Sequence, residues 1–292
     1  MGTLGANAGQ TTVTTDPVET GERLRAQIRK TRALTDRPFA VNCMMPTGVQ
    51  GGAAEFADEF SKVTVKVACE EGVQHVVAVG DMDQRVIEHL KQFGLTVIYR
   101  AVDPTIESSR QAEAAGADIV VATGFDEGGG MPSRAIGTFG IVPMIADAVS
   151  VPVMAAGAIA DNRGMRAALA LGAEGVFVGT AFIVAEECVA SAVCKQDIID
   201  IESDDLVTFK ALPAYWRATP HALAIQCRDE YERGASPLDV AKLMMGTRSI
   251  KTAQLDGDLD AGISSVGTGV SLIKEVRTCK AIIEEMVGGL RF

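Results

Sequence analysis

The residues best suited to chemistry lie in one stretch, DIVVATGFDEGGGMPSRAIG at 118–137. Asp126 and Glu127 stand side by side just past an apolar run, and Arg134 follows them. A charged side chain held in a loop can take or give a proton, which makes all three candidates for acid–base work. Three glycines, Gly128, Gly129 and Gly130, come directly after the acids. Backbone without side chains lets a flat ligand approach closely. Each of the three charges also fits a solvated loop, so the stretch acquires meaning only from the elements around it.

Those elements alternate. Short, nearly continuous apolar runs recur at Phe39–Met44, His75–Val79, Thr96–Ala101, Ile119–Ala122, Val151–Ala155 and Gly175–Val178. Such runs are expected of parallel strands buried on both faces. Helical patterns lie between them at Pro17–Leu34, Ala53–Glu70, Gln84–Phe93, Ile106–Ala115, Thr138–Val149 and Arg163–Leu171. Several reach the next strand through a glycine, namely Gly72, Gly94, Gly116 and Gly172, the residue that most easily adopts a left-handed C-terminal cap. The polar and glycine positions Asn42, Gly80, Asp81, Arg100, Gly157 and Gly179 all follow strands. A (β/α)₈ barrel builds its site at that end. No GxGxxG occurs, which weighs against a dinucleotide-binding sheet. The expected fold is therefore α/β, a TIM barrel. The strand count reaches seven if Thr3–Ala6 is a strand, so the usual first βα unit is expected to be missing, and a truncated start would account for that. After Ala185 the rhythm stops. Residues 1–185 are expected to form the barrel body and 186–292 a helical appendage and closing segment. That tail would hold a helix at Glu187–Ile199, an irregular acidic IESDD, helices within 220–246, and a turn plus helix within 267–286.

Two more glycine loops now take on significance. AAGAIADNRG at 155–164 and GTAF at 179–182 follow the last two barrel strands, where phosphate commonly sits. Gly157 and Gly179 let backbone N–H groups reach an anion, and the Thr180 hydroxyl adds a hydrogen bond. Either loop alone fits a plain strand-to-helix turn, but together they favour phosphate. A phosphate there, with a planar group over Gly128–Gly130, describes flavin mononucleotide (FMN).

Bulk properties exclude other classes. The net charge is −11, with no long Lys/Arg block, which argues against a nucleic-acid partner. No apolar run approaches a membrane span and no signal peptide is evident. Six cysteines form no CxxC pair and are expected as free thiols of a cytoplasmic protein. His75, His89 and His221 are scattered, so no metal site is expected; His75 reads as a core residue on a strand. The acidic surface and helical tail are compatible with a homodimer.

Four segments carry a resemblance. They are RPFAVNCM at 37–44, AAGADIVVATGFDEGGG at 114–130, VPVMAAGAIADNRGMRAALALGAEGVFVGTAFI at 151–183, and DLDAGISSVGTGVSLIKEVRTCKAIIEEMV at 258–287. Nearly the whole chain resembles the flavin-dependent family of nitronate monooxygenases (2-nitropropane dioxygenases) and FMN-containing enoyl-[acyl-carrier-protein] reductases. The resemblance implies non-covalent FMN. By position, Asn42 would contact the flavin ring and Thr123 would replace a residue that usually bonds it. Gly128 and Gly129 would line the ring. Gly157, Ala158, Val178, Gly179 and Thr180 would cradle the phosphate.

Three departures stand out. Where the family has a catalytic His after its paired glycines, this chain has Gly130. Proton transfer worth roughly 10²–10⁴ in rate would have to come from elsewhere, with Asp126, Glu127 and Arg134 as the nearby candidates. The family's first strand and helix have no counterpart ahead of GTLGANAG. Gly267-Thr268 stands where a Gly-Gln is common, which bears on substrate contacts from that loop.

The leading expectation is an FMN oxidoreductase that uses NAD(P)H to reduce an activated, enoyl-type double bond through flavin N5. Its substrate would be a small molecule or an acyl thioester. Direct hydride transfer asks less of a protein base than nitronate oxidation does, and the closing segment is nearer the reductase branch. Nitronate monooxygenase activity is the alternative. A catalytically reduced flavin- or phosphate-binding barrel is the reading from another class, and a flavin-free phosphate-sugar barrel enzyme ranks last.

Overall fold

A computed structural model describes residues 1–5, 14, 16–45, 52–212 and 214–290, and omits the side chains of residues 52–58 and 247. The chain forms two compact units, Met1–Val121 with Asp147–Val153, and Ala122–Ala146 with Met154–Phe292. The division runs through two strands.

The first unit begins with strand β1 (Thr3–Leu4) and helix α1 (Pro17–Leu34). Ala6, expected in the first strand, lies outside the described residues. Asp16 caps α1, its carboxylate accepting from Val18 N at 2.8 Å, and Pro17 opens the first turn where a missing N–H costs nothing. Strand β2 (Ala40–Met44), α2 (Gly52–Glu70), β3 (His75–Val79), α3 (Gln84–Gln92), β4 (Thr96–Arg100) and α4 (Ile106–Ala114) follow, leading into β5 (Ile119–Thr123). β1, β2, β3, β4 and β5 pair in parallel in that order. Val76, Val77, Ala78 and Val79 are all buried, as continuous apolar runs predict. Leu24 and Ile28, one turn apart on α1, are fully buried with Val41, Val67 and Val73. Each contributes about 1.5–3 kcal/mol. Gly21 permits that packing, because a Cβ there would stand 2.5 Å from Val63 Cγ1. Gly72, Gly94 and Gly116 carry φ of +62°, +72° and +100°, the left-handed turns expected after helices.

The second unit takes the end of β5, then β6 (Gly129–Met131), α5 (Thr138–Ala146), β7 (Val153–Ala156), α6 (Asn162–Ala170), β8 (Gly175–Phe177) and the short α7 (Thr180–Ile183). β7 and β8 are parallel, with Ala155 opposite Val176. Then come α8 (Ala192–Asp200), β9 (Val207–Ala211), β10 (Ala214–Ala218), α9 (Ala222–Glu232), α10 (Pro237–Met244), α11 (Thr247–Gln254) and α12 (Cys279–Val287). No helix among the described residues is long and apolar enough to cross a membrane.

Beside the helices expected there, the tail carries two strands that were not anticipated. β6, β10 and β9 form an antiparallel sheet in that order. β9 alternates buried Val207, Phe209 and Ala211 with less buried Thr208 and Lys210, the period-2 pattern of a half-buried strand. Helix α8 also starts five residues later than expected, because Ser191 caps it by accepting from Cys194 N at 3.1 Å.

Candidate functional site

All the expected site residues except Asn42 lie in the second unit. Asn42 is on β2 of the first, half-buried, with its amide nitrogen 3.7 Å from Met44 Sδ. Its contact with a flavin ring remains an expectation of the resemblance.

The loop after β5 is tied down at several points. Gly124 N donates to Ala156 O at 2.8 Å, and Phe125 N to Ile136 O at 2.9 Å. The Asp126 carboxylate accepts from the backbone N and, at 3.0 Å, the hydroxyl of Thr138 at the start of α5. The Asp126 carbonyl accepts from Thr268 N at 2.9 Å and the Thr268 hydroxyl at 3.2 Å. Asp126 is thus engaged in joining three segments. Glu127 is buried at 8% exposure, and Arg134 is exposed.

The segment Val266–Gly269 brings the glycine loops together. A Cβ on Gly128 would fall 2.2 Å from Val266 C, so only glycine permits that approach. Gly267 N donates to the Thr180 hydroxyl at 3.1 Å. A Cβ on Gly269 would stand 2.9 Å from the Ala158 carbonyl oxygen. Gly157 and Ala158 both have positive φ, +109° and +55°. For alanine that conformation is costly, and here packing against Gly269 accompanies it. Thr268, in the Gly-Gln position, is committed to Asp126 and not to an open surface.

Two observations test the fit to FMN. Thr123, 1% exposed at the end of β5, has a buried hydroxyl with no hydrogen-bond partner among the described residues. Leaving such a group unpaired costs about 1–3 kcal/mol, which a ligand's polar edge would relieve. Thr180 accepts from Gly267, so its own proton is still available to a phosphate oxygen, and the space a Cβ of Gly179 would enter is open. The residues fit the group that the resemblance implies, in which Gly157, Ala158, Val178, Gly179 and Thr180 would face the phosphate and Thr123, Gly128 and Gly129 the ring.

Gly130 pairs with Trp216 across β6 and β10. A Cβ there would meet only Ala214 Cβ, at 3.8 Å, so sterics do not exclude a side chain. One residue escaped the sequence reading. Arg217, 7% exposed on β10, donates to Phe125 O at 2.6 Å and Glu127 O at 2.7 Å. It lies on a strand that was not anticipated, AYWRA, whose burial does not alternate and so offered no signal.

Comparison with known proteins places this arrangement. A probable nitronate monooxygenase of Bacillus subtilis is 32% identical over 219 residues, covering 64% of this chain and 62% of that protein. The chain thus spans about three fifths of the length of such curated relatives. A (3aS,4S,5R,7aS)-5-hydroxy-7a-methyl-1-oxo-octahydro-1H-indene-4-carboxyl-CoA dehydrogenase of Mycobacterium tuberculosis is 27% identical, covering 97% of this chain and 86% of that protein. The structure of FabK from Thermotoga maritima superposes with a TM-score of 0.80 at 33% identity, covering 91% of this chain and 80% of that one. The fold class is thus the α/β, TIM-barrel type expected from the strand–helix rhythm. The sequence profile of the nitronate monooxygenase family matches residues 2–289, and the chain that ties its glycine loops together through Val266–Gly269 belongs to that family.

Proposed function

We propose that this protein is an FMN-dependent oxidoreductase that reduces an activated double bond of an acyl thioester at the expense of NAD(P)H. The observation that carries the choice is Gly130, which presents no side chain where the family's proton-transferring His would stand. Bound FMN supplies a two-electron carrier between nicotinamide and substrate. The protein's part is to hold and orient. Thr180 donates its hydroxyl proton to the phosphate, and the bare backbone at Gly157 and Gly179 admits it. Thr123 meets a polar edge of the ring, while Gly129, where a Cβ would meet only Ser265 Cβ at 3.8 Å, leaves its face uncovered. Of the loop charges, Asp126 is engaged with Thr138 and Thr268, and Glu127 is buried.

The thioester class draws on the CoA-ester dehydrogenase relative and the likeness to FabK. The family match and the Bacillus relative favour a second reading, oxidation of alkyl nitronates by oxygen. The two differ in what a restored imidazole does. Gly130→His is expected to raise nitronate turnover by roughly 10²–10⁴, while enoyl-CoA-dependent NAD(P)H oxidation changes little. A wild type that oxidises nitronates rapidly and ignores enoyl thioesters contradicts the reductase reading.

A further inference from the structure

The buried guanidinium of Arg217 is directed at the glycine loop. Arg217 stands opposite Gly129 in the β6–β10 ladder. Partners in an antiparallel pair point to the same face, and Gly129 offers no side chain there. The guanidinium reaches the carbonyls of Phe125 and Glu127, at 2.6 and 2.7 Å, and lies 5.2 Å from the centre of the Phe125 ring. A buried cation is costly unless well bonded, and two charge-assisted bonds to backbone carbonyls are what this one receives. Burial pulls its pKa below the ordinary value, and the nearby Asp126 and Glu127 carboxylates oppose that pull. An arginine remains charged at neutral pH under such pressure.

A donor on a carbonyl withdraws electron density through the peptide and strengthens the N–H that follows. Bonding to Glu127 O therefore strengthens Gly128 N–H, and bonding to Phe125 O strengthens Asp126 N–H. Gly128 is the residue expected against the flavin ring. A reduced flavin carries more negative charge than an oxidised one, so a polarised donor and a fixed cation behind it favour the reduced form. We propose that Arg217 is a positioning residue of the flavin site, which acts through the Phe125 and Glu127 carbonyls to bias bound FMN toward its reduced state. The inference rests on the FMN reading.

The test is the two-electron midpoint potential of the flavin-loaded full chain, measured by dye equilibration for wild type, Arg217→Lys, Arg217→Gln and Arg217→Met. A neutral side chain is expected to lose about tenfold in preference for reduced over oxidised flavin, a potential about 30 mV lower. Lysine is expected to retain most of that preference. Equal potentials in all four proteins overturn the proposal. So does a lysine variant that falls as far as the methionine one, because shape and not charge would then be responsible. If no variant loads flavin while wild type does, Arg217 serves folding alone and the proposal also fails. Wild type that takes up no FMN is a different result, because it defeats the FMN reading itself.

Discussion

Gly267 donates its backbone N–H to the Thr180 hydroxyl at 3.1 Å. That one contact fixes the hydroxyl's lone pair and leaves its proton free to point away. It also joins the closing segment to the loop after β8, so a residue late in the chain orients one that the glycine motif had already marked. The Thr180→Val substitution keeps the shape and removes the donor. A hydrogen bond to a charged group is worth about 1.5–3 kcal/mol, so FMN affinity is expected to fall roughly 10- to 150-fold. Titration of flavin fluorescence reads this, and an unchanged dissociation constant would remove Thr180 from the phosphate site.

Gly128 and Gly130 look alike in sequence and differ in space. A Cβ at Gly128 would collide with the backbone of Val266 and Gly267, at 2.2 and 2.4 Å. At Gly130 it would only touch Ala214 Cβ. Gly128→Ala is expected to destabilise the fold by about 1–3 kcal/mol or more, because backbone must move. Gly130→Ala is expected to stay within about 0.5 kcal/mol of wild type. Urea unfolding of the two variants checks the contrast, and equal midpoints would show that the Val266–Gly267 contact is absent in solution.

Glu187 bridges to the first residue of α12, its carboxylate accepting from Cys279 N at 2.9 and 3.1 Å. The bond to that amide holds the Glu187 pKa below its ordinary value of 4.5. A carboxylate with a depressed folded-state pKa stabilises the fold above its unfolded value and loses that contribution as pH falls through the folded one. Glu187→Gln is therefore expected to melt below wild type at pH 7, with the gap closing as pH drops from about 4.5 into the lower folded-state range. Melting curves across pH 3–7 read the difference, and a gap that persists at the acid end contradicts the assignment.

The parallel strands and their connecting helices were legible because each signal is local. β3 and α1 fall at the expected residues, and glycine closes the turns at Gly72, Gly94, Gly116 and Gly172 with positive φ. The glycine loops after β7 and β8 were legible for the same reason. The antiparallel sheet was less so. VTFKA carries a clean alternation, but it follows an acidic run that drew the reading toward irregular coil. Arg217 could not be read at all, because its meaning depends on the register that sets it against Gly129. The need for glycine at 128 is likewise a property of Val266, far along the chain.

The most direct test of the account is the visible absorption spectrum of the purified protein, supplemented with FMN, before and after anaerobic NADH or NADPH. The account predicts flavin bands that bleach on addition of the nicotinamide and return when an enoyl thioester is added. Bands that neither nucleotide bleaches would contradict the reductase reading and leave nitronate as the electron donor to examine. A protein that shows no flavin bands after removal of excess FMN would contradict the central claim that Thr123, Gly128, Gly157 and Thr180 form a flavin site.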